Sequence, residues 1–128
     1  ALRRALDAMI AAVEAGQDSV AADFQFHLEI ARATQNPHFI ELMATLGAQI
    51  IPRARLEQAG LAPNVSADAS AERLAYMRRV NAEHENILDA IASQDADAAR
   101  AAMRTHLSNS RERRRKAQAQ AQTAGPTA

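Results

Sequence analysis

The sequence predicts an all-α fold, and three observations carry that prediction. Alanine fills 32 of the 128 positions, an excess that favours helix. Apolar residues recur in steps of three and four, and no segment alternates as a strand would. Leu, Ile, Val and Phe together supply only 24 residues. So thin a supply goes with disorder only when net charge is high, and here 15 Lys and Arg cancel 15 Asp and Glu. The length suits one domain whose Ala-lined helices approach closely.

The first helix is expected over residues 1–15, on the stripe Leu2, Leu6, Met9, Ile10 and Val13, with Gly16 at its C-terminal cap. Asp18-Ser19 offers the next N-cap, and a second helix runs to Thr34 before Asn36-Pro37 interrupts it. Its inward stripe reads Val20, Asp23, His27, Ile30, Thr34. Pro37 suits the first turn of a third helix, striped by Phe39, Met43, Leu46, Ile50 and Arg53, with Pro52 kinking its end. The segment Gly60 to Ser70 is rich in loop formers, and Ser70 is placed to cap a fourth helix with the stripe Leu74, Met77, Asn81, His84, Leu88, Ile91. Asp95 caps a fifth helix, whose face carries Ala99, Ala102, Met103 and His106 and which runs into Arg111–Lys116. Residues 117–128 are low in complexity and are expected to fray as a disordered tail, leaving 1–116 as the domain.

Composition excludes several functions. There is no cysteine, so disulfides, thiolate catalysis and Cys-based zinc sites are out, and His and carboxylate remain as the strong metal ligands. Zero net charge gives the body of the domain no electrostatic case for nucleic acid or an anionic membrane. No apolar run nears the roughly 18 residues of a spanning helix, and the N-terminus lacks a signal-peptide pattern. A cytoplasmic protein is expected. The chain opens without Met and already in helical register, as a domain cut from a longer protein would.

The informative feature is where the stripes break: at Asp23, His27, Arg53, Asn81, His84 and His106. A buried charge or imidazole must be neutralised, paired or bound to a metal. Asp23 and His27 lie one helical turn apart on one face. A bundle packing these stripes together would bring them to one point with His84 and His106, a His3Asp set suited to Zn, Ni, Mn, Fe or Co. Single histidines on apolar faces are more often structural, bonded to backbone carbonyls, so both readings stand at this level. Arg53 is suited to gripping a carboxylate, with a surface ion pair as the alternative. Asn81 and Asn109, each three residues from a histidine, are candidates to orient a ligand or water. His38 is expected to face solvent, and Arg111–Lys116 to be a solvated face at a helix C-terminus. His-Glu-x-x-His, Glu-x-x-His, Gly-rich phosphate loops and Gly-x-Ser-x-Gly are all missing from the sequence, which leaves a sensing role simpler than an enzymatic one.

The elements Asp23-Phe-Gln-Phe-His27 with Ile30-Ala-x-Ala-x-x-Asn36-Pro37, Glu83-His84-x-x-Ile87-x-x-Ala90-Ile91, and Met103-x-x-His106-Leu107 occur in that order. Jointly they resemble the FCD domain, the FadR-type effector-binding domain of GntR-family transcription regulators. The resemblance implies an antiparallel helical bundle whose central cavity holds a divalent metal, zinc first among the candidates, on Asp23, His27, His84 and His106. It further implies a small carboxylate effector, for which Arg53, Asn81 and Asn109 are the contacts to consider. It implies a homodimer, and operator DNA bound only through an N-terminal winged helix-turn-helix domain absent from this chain. The family's opening helix is expected to be missing here as well. A non-enzymatic sensor is therefore the leading reading. A small metal-dependent hydrolase or lyase using a metal-bound water, and a purely structural dimerisation module, are the alternatives.

Overall fold

The computed structural model describes residues 1–50, 67–123 and 125, and within them the chain is all-α. Five described helices follow in order: α1 (Leu2–Glu14), α2 (Val20–Ala33), α3 (Pro37–Ile50), α4 (Ala67–Ala92) and α5 (Ala96–Thr123). Arg53, the Pro52 kink and residues 60–66 of the loop expected from Gly60 to Ser70 lie outside the described residues, while its last four residues, 67–70, are helical. None of the described helices is long and apolar enough to cross a membrane.

The caps explain the breaks. Gly16 sits at φ 68°, and there Gly16 N–H donates to Val13 O at 3.0 Å while Gln17 N–H donates to Ala12 O at 2.8 Å. That pair of bonds is a Schellman closure, and glycine is the residue to which its left-handed backbone costs least. Gln94, at φ 56°, closes α4 with the same two bonds, to Ile91 O and Ala90 O. At the other ends, Asn36 Oδ1 accepts from His38 N and Phe39 N at 3.1 and 3.3 Å, which lets Pro37 enter α3 without a lost donor. Asp95 Oδ1 accepts from Ala98 N at 2.8 Å to start α5.

Helix α1 packs against both α2 and α4, α2 against α3, and α4 against α5. Two ion pairs fix the α1/α4 direction: Arg3 meets Glu85, whereas Glu14 meets Arg78, so the helices run antiparallel. Contacts of α5 with α4 at Glu83–His106 and Tyr76–Arg113 run antiparallel too. The apolar core gathers Ala5, Leu6, Met9, Phe26, Ile87 and Leu88.

Four sequence expectations change. Ser70 lies inside α4, which already starts at Ala67; the alanines at 67, 69 and 71 favour helix and outweigh the small cost of Asp68 and Ser70. Helix α5 persists past Lys116 to Thr123, because Ala and Gln are both good helix formers despite their low complexity. Phe39 and Leu46, expected inward, are 39% and 37% exposed, since among the described elements α2 alone packs broadly on α3. Thr34 is exposed rather than inward, its hydroxyl donating to Ala31 O at 2.6 Å as α2 closes.

Candidate functional site

Local structure places each polar interruption. Asp18 Oδ1 accepts the Val20 N–H at 2.8 Å, so α2 begins at a register that turns Asp23 and His27 inward, at 2% and 9% exposure. On α4 the same stripe that buries Met77 and Leu88 carries Asn81 and His84 into the interior. On α5, His106 is the buried residue.

Three helices thus bring three imidazoles together. Ring centroids are 5.4 Å apart for His27 and His84, 5.4 Å for His27 and His106, and 4.4 Å for His84 and His106. One ring nitrogen from each lies within 4.8 Å of the others. Asp23 Oδ1 stands 3.2 Å from His84 Nε2 and 3.9 Å from His27 Nε2. One ion with bonds of about 2.1 Å spans donors up to about 4.2 Å apart, so the cluster needs only small side-chain rotations to close on it. The donor set also fits: neutral imidazole nitrogens beside one carboxylate suit a borderline divalent cation such as zinc. Phe26 lies against this cluster, its ring centroid 4.9 Å from that of His84.

Behind His106 stands a residue that periodicity did not single out. Glu83 Oε2 is 2.8 Å from His106 Nδ1, and a carboxylate there makes Nδ1 the protonated nitrogen and leaves Nε2 as the donor to a metal. Arg113 grips the same carboxylate with both Nη nitrogens, Nη1 at 2.7 Å to Oε1 and Nη2 at 2.9 Å to Oε2. Asn109 Nδ2 adds a bond of 2.8 Å to Oε1. Burial pushes the Glu83 carboxyl up, but the bonds from Arg113, His106 and Asn109 and the Arg113 charge outweigh it and hold the group at about 2. The signal was available: Glu83 immediately precedes His84, and Arg113 repeats the His106 face two turns later.

Arg113 therefore departs from the solvated run expected over Arg111–Lys116: its side chain is 19% exposed, against 72% for Arg115. Asn81 is buried, and among the described residues its Oδ1 has no hydrogen-bond partner. Asn109 is exposed and placed against Glu83, behind His106. His38 faces solvent as expected.

Comparison with protein families finds that the model of the FCD domain matches residues 1–109. No curated protein and no solved structure matches the chain.

Proposed function

The chain belongs to the FCD domain family, whose members are effector-binding domains of GntR-type transcription regulators, and we propose that it senses a small carboxylate through a bound divalent metal. The observation that carries this reading is the buried convergence of His27, His84 and His106 from three helices. Asp23 completes the ligand set. Within this family, three imidazoles and a carboxylate sharing one interior are better accounted for by an ion than by three separate structural histidines.

A metal bound there supplies a Lewis-acidic point for an effector carboxylate. Around it the chain's own residues orient and enclose. Asn81 offers a buried acceptor to an effector hydroxyl or a bound water. Phe26 restricts water on one side. Arg53 would grip a second anionic group, and Asn109 would make a contact at the edge. In the regulator the domain acts in the cytoplasm as a homodimer, and operator DNA is contacted by another domain. An effector that binds one arrangement of the helices better than another shifts the population between them.

Elemental analysis of purified protein, followed by thermal-shift screening of small carboxylic acids with and without chelator, tests the proposal. The expected result is about one divalent ion per chain, with acids raising the melting temperature only in the metal-loaded protein. Protein that stays metal-free after expression in metal-replete medium rejects it.

A further inference from the structure

Glu83 joins the candidate centre to a part of α5 that lies beyond the matched span 1–109. Its side chain comes from α4, and its three partners, His106, Asn109 and Arg113, all come from one face of α5. A carboxylate held by single bonds can turn about its terminal torsion, which is broad. A guanidinium fork removes that freedom, because its two parallel bonds fix both oxygens at once. Arg113 makes such a fork with Glu83.

Arg113 is itself fixed from two further sides. Its Nη2 lies 3.1 Å from Ser110 Oγ, and its guanidinium carbon sits 5.5 Å from the centroid of the Tyr76 ring. An ordinary surface staple between two helices needs neither burial nor a shared acceptor oxygen. Here Glu83 Oε2 accepts both from Arg113 Nη2 and from His106 Nδ1. The plane that Arg113 imposes on the carboxylate is therefore the plane that sets the His106 tautomer and ring angle.

We infer that Arg113 is a positioning residue for His106, so that α5 beyond the matched span is a working part of the centre and controls its affinity for a divalent cation. The inference rests on the reading of His27, His84 and His106 as an ion-binding set. Partners behind a ligating histidine typically govern metal affinity by about 10- to 100-fold. Arg113 acts one step further out, which places its effect near the lower end of that range.

The test uses the full chain in wild-type form and as R113A, R113K, E83Q and R115A. Zn2+ affinity is measured by competition with a chromogenic chelator. The His106 tautomer is read in the metal-free protein by long-range 1H–15N correlation. R113A is expected to weaken Zn2+ binding about tenfold and to turn a single Nδ1–H tautomer into a mixture. E83Q should do the same, R113K should restore part of both, and R115A should change neither. An R113A protein that melts earlier but keeps both its Zn2+ affinity and its Nδ1–H signal overturns the inference and leaves Arg113 a helix staple. Should the wild type bind no Zn2+, the metal reading fails, and the tautomer comparison still decides whether Arg113 positions His106.

Discussion

Helices α2 and α4 line two unlike interiors. On one side Phe26, Ile87 and Leu88 join Ala5, Leu6 and Met9 of α1 in hydrocarbon packing. On the other, the same two helices present Asp23, His27 and His84 to His106 of α5. The border is one residue wide, since Phe26 precedes His27, and the Phe26 ring touches His84. Burial stabilises the first interior outright, at about 25 cal/mol per Å². In the second, burial alone costs free energy, and its stability depends on what the polar groups hold. One region is thus held by burial itself, and the other only through the partners its polar groups find.

Substitution at the border should break this contrast most severely. Phe26→Ala empties a fully buried position and is expected to cost about 3–5 kcal/mol, read by chemical denaturation, together with weaker metal binding because His84 loses its wall. Leu6→Ala, equally buried but on α1, which carries none of the histidines, should cost about 2–5 kcal/mol and leave metal affinity within twofold of wild type. A Leu6→Ala protein whose metal affinity falls as far as that of Phe26→Ala would show that the two interiors do not act separately.

Substitution inside the polar interior should read differently. Metal at about 100 times its dissociation constant adds about 2.7 kcal/mol to the folded state, and that increment should vanish on chelation. His84→Ala is expected to remove both the affinity and the chelator response, so its melting temperature stays the same with and without metal. A chelator effect that survives in His84→Ala would place the ion elsewhere.

Among the described residues, helix α3 contributes none to either interior, and it meets α2 at close range. A Cβ on Gly47 would collide with the edge of the Phe24 ring, so the ring must swing aside. Overpacking of this kind costs about 1–3 kcal/mol, offset by about 1 kcal/mol from replacing a helical glycine with alanine. Gly47→Ala should therefore destabilise by about 0–2 kcal/mol net, the difference of those two, with no change at the histidines. Calorimetry and a metal titration on the one variant check both halves.

What could be read before the structure was the interior itself, through its interruptions. Asp23, His27, Asn81 and His84 occupy stripe positions, and helical phase alone predicts their burial. Gly16, Asn36 and Asp95 marked helix ends because their backbone or side chains satisfy terminal groups that would otherwise be left over. Phase does not name the neighbour across a gap, which is why the pairing of Glu83 with Arg113 is not legible in the sequence: a charge run on one helix looks solvated until its partner on another is placed. Nor does it say how many helices cover a stripe, which is why α3, with a stripe as regular as that of α4, exposes Phe39 and Leu46.

The smallest effect is expected on the rim of the scaffold. Glu14 and Arg78 form a two-pronged pair at 2.7 and 2.8 Å between α1 and α4, with side chains 45% and 58% exposed. The hydrogen bonds from Arg78 hold the Glu14 carboxyl below its ordinary value. A group whose folded value is lowered stabilises at every pH above its unfolded value and loses that contribution as pH falls through the folded one. The pair should therefore contribute near neutrality and fade once the pH drops below the usual carboxylate range. Exposed pairs are screened by salt and net little, so Arg78→Ala should shift the acid-unfolding midpoint slightly upward at low ionic strength, and hardly at all in about 1 M salt, where the screening length is only about 3 Å. A shift in Arg78→Ala that persisted in high salt would mean that Arg78 contributes through packing of its stem on the α1/α4 seam rather than through its charge.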